Sequence, residues 1–305
     1  MTRSSSGTSS AAFIGLGVMG APMAGHLQNG GVATRVFNRT ADKARRWSER
    51  HGGSTAGTPE AAVVGADFIF LCVGNDDDVR SVMYGEHGVL AGAKSGATVI
   101  DHTTASAELA RELANACAQQ GVEFMDAPVS GGEAGAVNGQ LTVMCGGDTA
   151  VYERTEPVMA HYAKSMRLMG AAGAGQLTKM VNQICIAGVL QGLSEGLHFA
   201  EAAGLDIEQV VAAISQGAAQ SWQMDNRHRT MAAGKFDFGF AVDWMRKDLD
   251  IALKTAREIN ATLPLTALVD QFYADIQGNG GGRLDTSSLI TRLRKPDTSG
   301  DKQSQ

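Results

Sequence analysis

Lys179 and Asn182 stand three residues apart in Gly173-Ala174-Gly175-Gln176-Leu177-Thr178-Lys179-Met180-Val181-Asn182-Gln183. In a helix that spacing puts both side chains on one face. A lysine amine can take a proton from a hydroxyl group or return one to a carbonyl oxygen. Near a helix N-terminus the dipole disfavours a positive charge, and the same field favours the neutral amine that proton abstraction needs. The plain alternative is a surface lysine with its stem laid along the protein. A second group is Ser130-Gly131-Gly132, which follows an apolar strand-like run. The backbone N–H groups of such a turn can converge on an anion, with the serine hydroxyl as a further donor; an ordinary turn is the alternative. A third is Lys247-Asp248, within Asp243-Trp244-Met245-Arg246-Lys247-Asp248-Leu249. A charged pair in a helix is usually a solvated face, but Phe240 and Trp244 nearby predict partial burial here.

Gly15-Leu16-Gly17-Val18-Met19-Gly20 adds a nucleotide chemistry. Ala11 to Ile14 lead in as a strand, Ala21 to Asn29 follow as a helix, and Val32 to Phe37 form a second strand. That is the setting a dinucleotide-binding fingerprint requires. Gly15 allows the tight turn, Gly17 lets the backbone approach a pyrophosphate, and Gly20 lets helix and strand pack closely. The phosphates then meet free N–H groups at the helix N-terminus. The second strand ends in Asn38-Arg39-Thr40. A free ribose 2′-hydroxyl usually meets Asp or Glu at this point. Arg39 can pair instead with a 2′-phosphate, with Thr40 and Asn38 adding hydrogen bonds. The expected cofactor is therefore NADP, with NAD as the alternative; a solvated loop arginine is the plain reading of Arg39.

These residues need elements that position them. Asp67 to Val73, Ala97 to Asp101, Val122 to Asp126 and Leu141 to Cys145 read as further strands, separated by helical patterns such as Ala107 to Gln119. Alternating strand and helix gives a doubly wound α/β sheet. Ligands of such sheets bind beyond the carboxyl ends of the strands, which points to the loops at Val73-Gly74-Asn75-Asp76-Asp77-Asp78, at His102-Thr103-Thr104 and at Ser130. From Gly175 to Gly204 runs one long helical pattern, with Gly188, Gly192 and Gly196 on one face. Each costs about 1 kcal/mol in a helix interior, so close approach by another helix is expected, from this chain or a second subunit. Helices over Ile207 to Ser215, Val242 to Ile259 and Pro264 to Gln277 follow. The expected architecture is a Rossmann domain over residues 11–173 and an all-helical domain over 174–292, with disordered tails at 1–10 and 295–305.

The 305 residues carry a net charge of −6 with no basic stripe, which argues against nucleic acid as partner. No apolar run reaches membrane-spanning length. Cys72, Cys117, Cys145 and Cys185 are far apart and lack metal spacing, and no HxxxH or HExxH pattern occurs. Reduced core thiols, a cytoplasmic location and no metal are expected.

In this order the motifs resemble the β-hydroxyacid dehydrogenase family. The resemblance runs from about Ala12 to about Ala274. It is carried by Phe13-Ile14-Gly15-Leu16-Gly17-Val18-Met19-Gly20-Ala21-Pro22-Met23-Ala24, Asp126-Ala127-Pro128-Val129-Ser130-Gly131-Gly132, Gly175 to Asn182, and Lys247-Asp248. It implies that Lys179 is the catalytic lysine and that Asn182 helps position substrate. Ser130, Gly131 and Gly132 would hold the substrate carboxylate, with Phe240 and Asp248 flanking the site. Thr104 would stand near the nicotinamide, Val73, Gly74 and Asp78 would line the cofactor, and Lys247 would reach it from the helical domain. The family assembles through that domain, which implies a homodimer or homotetramer. Two departures stand out: Val73-Gly74 replaces a frequent Leu-Pro, and Gln183 stands where some members carry a second asparagine. The function so implied is interconversion of a small β-hydroxyacid and its semialdehyde. Imine reduction on the same fold and a non-catalytic dinucleotide-binding module are the alternatives, and Lys179 counts against both.

Overall fold

The structure, a computed structural model, describes residues 9–294. The chain divides into two compact units between Lys179 and Met180, inside the long helix Ala174–Ala202 rather than ahead of it. The predicted tails at 1–8 and 295–305 lie outside the described residues. Residue 10 does not belong to a tail. Ser10 opens the first strand, and its N–H and Oγ both bond Asp67 Oδ2, at 3.0 and 2.9 Å.

The first unit is built on one sheet of nine strands: β1 (Ser10–Ile14), β2 (Ala33–Phe37), β3 (Ser54–Thr55), β4 (Phe68–Leu71), β5 (Thr98–Asp101), β6 (Glu123–Asp126), β7 (Val129–Ser130), β8 (Leu141–Gly147) and β9 (Ala163–Gly170). Their order is β3-β2-β1-β4-β5-β6-β8-β7, with β9 also paired to β8. All pairs from β3 to β6 are parallel. β8 runs antiparallel to β6 and β7 and parallel to β9. Strand alternation sends Phe13, Phe70, Ile100 and Met125 into one core and Ile14, Ile69, Leu71 and Val99 into another. Sheets buried on both faces need the near-continuous apolar runs seen here. Each such side chain contributes roughly 2 kcal/mol. β3, β7 and β9 were not legible from the sequence. β3 and β7 have two residues each, and β9 carries Lys164, Ser165 and Arg167 on a largely exposed strand.

The second unit is helical: the long helix from Met180 on, then Ile207–Ile214, Trp222–Ala232, Val242–Glu258 and Pro264–Ile276. Its cores form around Leu190, Met245, Leu249 and Tyr273, and around Leu197, Met231 and Ile290. Trp222–Ala232 was not expected, because its polar run Asp225-Asn226-Arg227-His228-Arg229 hides the periodicity. Within the chain, only the first of the three glycines meets a neighbouring helix. A Cβ on Gly188 would sit 3.2 Å from Leu265 Cδ2, whereas Gly192 and Gly196 have nothing within 4 Å. Among the described residues no helix is long and apolar enough to cross a membrane.

The carboxyl ends of β5 and β6 are locked together by a buried histidine. His102 Nδ1 lies 2.6 Å from Ala127 O and Nε2 lies 2.8 Å from Tyr162 Oη, and the ring stacks on Phe70. Burial pushes its pKa down to about 4, so the ring is neutral; Nδ1–H donates to the carbonyl and Nε2 accepts from the tyrosine. Its folded-state pKa is depressed, so below pH 6.5 the unfolded chain takes up a proton that the folded one refuses. The stabilising effect of His102 is therefore full above pH 6.5 and fades as pH falls toward 4. We expect His102→Phe to cost more stability at pH 7 than at pH 4.5, with the two costs differing by roughly 2 kcal/mol; urea unfolding of both proteins at both pH values measures this.

Candidate active site

The glycine turn joins β1 to the helix Gly20–Asn29. Gly15 holds φ +100°, and a Cβ there would lie 2.2 Å from Cys72 O. A Cβ on Gly20 would lie 2.1 Å from Gly15 O, while at Gly17 it would meet nothing within 4 Å. Two glycines thus close the turn against the sheet and the third leaves its outer face open. The helix has no side-chain cap and no acid in its first turn. These features fit a pyrophosphate.

The other predicted members of the turn differ in availability. Leu16 is buried in the core, and its N–H donates to Asn38 Oδ1 at 2.9 Å. Asn38 Nδ2 donates to Thr40 O at 3.1 Å. Asn38 therefore braces the turn, and neither its oxygen nor the Leu16 amide faces outward. Val18 is exposed, and Met19 packs partly on the core. The Arg39 side chain is 92% exposed, with its nearest carboxylate Asp78 at 3.8 Å. Thr40 is exposed and its hydroxyl makes no capping bond. In the loop after β4, Val73 N donates to Thr103 Oγ1 at 3.1 Å, Gly74 is partly exposed, and Asn75 caps the helix that carries Asp78.

Lys179 comes to the same edge of the sheet. Its side chain is buried, and Nζ donates to Val129 O at 2.9 Å. The next residues are Ser130, partly buried in β7, then Gly131 at φ +128° and Gly132 at φ +61°. A single backbone turn therefore separates the amine from the candidate anion site. The start of the lysine's helix is held from β6. Asp126, fully buried, accepts from Gly173 N at 2.7 Å and from Gln176 N at 2.8 Å. Burial raises its pKa to about 6, with the amide bonds pulling the other way. The amides whose field was expected to act on Lys179 are therefore already bonded to a carboxyl group. Beside it in register, Asp101 is raised by burial to about 7 and accepts from Thr103 N. Gln176, also buried, donates through Nε2 to Thr103 O at 2.7 Å and accepts at Oε1 from Ala105 N at 3.1 Å. Thr104 sits in the turn so held, partly exposed. Sequence patterns alone gave Asp126 and Gln176 no role.

In the second unit, Asn182 Nδ2 donates to Gln183 Oε1 at 2.8 Å, and Gln183 Nε2 donates to Asp248 Oδ2 at 2.7 Å. Lys247 Nζ pairs with Asp248 Oδ1 at 3.1 Å and lies 5.9 Å from the Trp244 ring centre. The Asp248 side chain is 1% exposed and that of Lys247 19%, so the expected burial is present. Asp248 faces inward to these two partners. Phe240 packs partly on the core, and its N–H donates to buried Asp285. The Arg227 guanidinium lies 4.9 Å from the Trp222 and Phe238 ring centres and 3.5 Å from Asp285, which steadies the loop before Phe240. Of the thiols, Cys117 and Cys145 are buried, but Cys185 is exposed, contrary to its expected core position.

The chain matches two family models end to end. Residues 10–173 match the NAD binding domain of 6-phosphogluconate dehydrogenase. Residues 173–293 match the NAD-binding domain of NADP-dependent 3-hydroxyisobutyrate dehydrogenase. The chain belongs to the β-hydroxyacid dehydrogenase family. It is an NAD(P)-dependent oxidoreductase of that family. An uncharacterized oxidoreductase of Shewanella frigidimarina is 60% identical over 93% of this chain and 98% of its own length. The 2-hydroxy-3-oxopropionate reductase of Escherichia coli is 35% identical over 92% of this chain and 96% of its own. Among solved structures, a Mycobacterium tuberculosis 3-hydroxyisobutyrate dehydrogenase with L-serine superposes with a TM-score of 0.86 at 31% identity, covering 95% of this chain and all of that one. For a β-hydroxyacid dehydrogenase, the edge that carries the glycine turn, the Thr104 turn and the Lys179–Val129 bond is the candidate active site.

Proposed function

We propose that this β-hydroxyacid dehydrogenase prefers NADP(H) and interconverts a small β-hydroxyacid with its semialdehyde, with Lys179 as the general acid and base. The observation that carries the reading is the buried Lys179 amine bonded to Val129 O, immediately ahead of Ser130-Gly131-Gly132. A proton carrier beside an anion-binding turn is what a hydroxyacid requires. The Ser130 hydroxyl and the amides of Gly131 and Gly132 hold the carboxylate, which fixes the neighbouring carbon relative to the amine. In oxidation the neutral Lys179 amine accepts the hydroxyl proton; in reduction its ammonium form returns one to the carbonyl oxygen. When bound, the nicotinamide takes up or supplies the hydride. The glycine turn, Val73, Gly74, Asp78 and Thr104 hold that cofactor, and Arg39 reads its 2′-phosphate. Asn182 and Phe240 contribute to the substrate side and Lys247 to the cofactor side. Asp248 acts through Gln183 and Lys247. Imine reduction and a bare nucleotide-binding role are less well supported, because neither needs the lysine.

We further propose that the enzyme works in the cytoplasm as a homodimer or a larger assembly formed through the helical unit. Val181, Val189 and Phe199 lie 60%, 39% and 73% exposed along one side of the long helix, with Gly192 and Gly196 open between them. Leu265 and Leu268 add further exposed apolar surface on the Pro264–Ile276 helix. Exposed apolar side chains grouped in this way suit a covered interface.

Four experiments test these readings. A screen of small hydroxyacids and semialdehydes, including serine, 3-hydroxyisobutyrate, tartronate semialdehyde, glyoxylate and succinic semialdehyde, is followed by the absorbance of the reduced nicotinamide with either cofactor. On whichever substrate is turned over, Lys179→Ala should lower kcat by roughly a thousandfold or more while NADPH binding stays close to wild type; a variant that keeps most of its activity overturns the mechanism. Arg39→Asp should move the ratio of kcat/KM from NADPH toward NADH by at least about tenfold, and an unchanged ratio refutes the 2′-phosphate role. Light scattering should give at least a dimer for the native chain and a shift toward monomer for Phe199→Glu; a monomeric native protein overturns the assembly.

A further inference from the structure

Gln176 lies on the helix that carries Lys179, and both ends of its side-chain amide are used on the Thr104 turn. Nε2 donates to Thr103 O and Oε1 accepts from Ala105 N, so the contacts flank Thr104 on either side. A two-point contact from a planar amide fixes direction as well as distance. A leucine of similar volume would fill the space but would leave two buried backbone groups without these partners. The helix start does not depend on this side chain, because the Asp126 carboxylate already bonds Gly173 N and Gln176 N.

One helical turn further on, Lys179 shares the Gln176 face and reaches Val129 O, three residues past Asp126. The contacts form a closed circuit: from the turn after β5 through Gln176 into the helix, out along Lys179 to Val129, along the chain to Asp126, and across the pairing of Asp126 with Asp101 back to the turn. Thr104 and the Lys179 amine can then shift relative to each other only by breaking a buried bond. Close-packed interiors convert such a constraint into a fixed separation.

We propose that Gln176 is a positioning residue that sets the separation between the Thr104 turn and the Lys179 amine, and so keeps hydride transfer and proton transfer in register. This rests on the reading of Thr104 as lying near the nicotinamide and of Lys179 as the proton carrier. Displacement by as little as an ångström lowers transfer rates steeply, whereas cofactor binding, which draws on the glycine turn and Arg39, is spared.

The test uses the full chain and a substrate that the native enzyme turns over. Gln176→Met keeps length and volume but removes both bonds. Gln176→Glu keeps the acceptor for Ala105 N and removes the donor to Thr103 O. Rates are normalised to sites counted by NADPH binding, so that loss of folded protein is separated from loss of rate. We expect Gln176→Met to lower kcat roughly 10- to 100-fold, with NADPH affinity held within about threefold. The isotope effect on kcat with NADPH deuterated at the transferred position should rise, as transfer becomes slower than product release. Gln176→Glu should fall between Met and native, and it carries the same test if the Met variant does not fold. A variant with native normalised kcat and native isotope effect overturns the proposal. If Lys179→Ala abolishes turnover in the same assays, that result removes only the role of Gln176; if Lys179→Ala is active, the underlying mechanism fails and the positioning role with it.

Discussion

Asp126 ends β6 with its carboxyl group buried, and the amides that begin a 29-residue helix bond to it. Burying a carboxylate is unfavourable, and burial raises its pKa to about 6 against the pull of the amide bonds it accepts. The arrangement persists because those amides would otherwise be buried donors without acceptors. Its geometric result is that the helix start and the strand end form one rigid piece. Val129 and Ser130 lie only a few residues beyond Asp126, so the carbonyl that receives Lys179 and the turn that follows it are fixed by the same contact. The Thr103–Ala105 turn is tied to the same helix by Gln176.

The second unit handles its charges by a comparable economy. Asp248 is buried, and each of its oxygens faces a different partner, Gln183 on the long helix and its own neighbour Lys247. Asn182 is oriented by Gln183 in turn. Gln183 therefore has a defined place in the network, since its side chain links Asn182 to the acid. A buried acid with two such partners is a demanding arrangement, because losing either leaves charge or a polar atom unmatched. It fixes the orientation of an amide and an ammonium group that would otherwise sample many rotamers.

The alternation of apolar strands with helical patterns made the sheet legible, because parallel strands buried on both faces have a composition that little else produces. The glycine turn was legible for the same reason: φ +100° at Gly15 and the contact at Gly20 admit no side chain. Lys179 stood out by its neighbours and spacing. Asp126 and Gln176 did not, although a signal was present. Gly173-Ala174-Gly175 offers no Ser, Thr, Asp or Asn to cap a long helix, so an acceptor had to come from elsewhere in the chain. Nothing local says which acid that would be, since β6 and the helix meet only through the fold. The inward turn of Asn38 toward Leu16 was hidden likewise. The helix Trp222–Ala232 and the strand β9 were lost because exposed polar residues mask the period.

Arg39 differs from all of these in having no packing to lose. Its guanidinium projects from the end of β2 into solvent, with only a distant carboxylate for company. Replacing it would disturb no core contact, whereas a side chain at Gly15 or Gly20 would displace backbone and loss of Asp126 would strip two buried amides of their acceptor. Structural tolerance is thus unevenly distributed around this edge of the sheet: at the rim a substitution is felt in ligand contact alone, while on the floor it also disturbs the fold. Relatives that share this scaffold can therefore diverge at the rim long before their hydrogen-bonded interior changes.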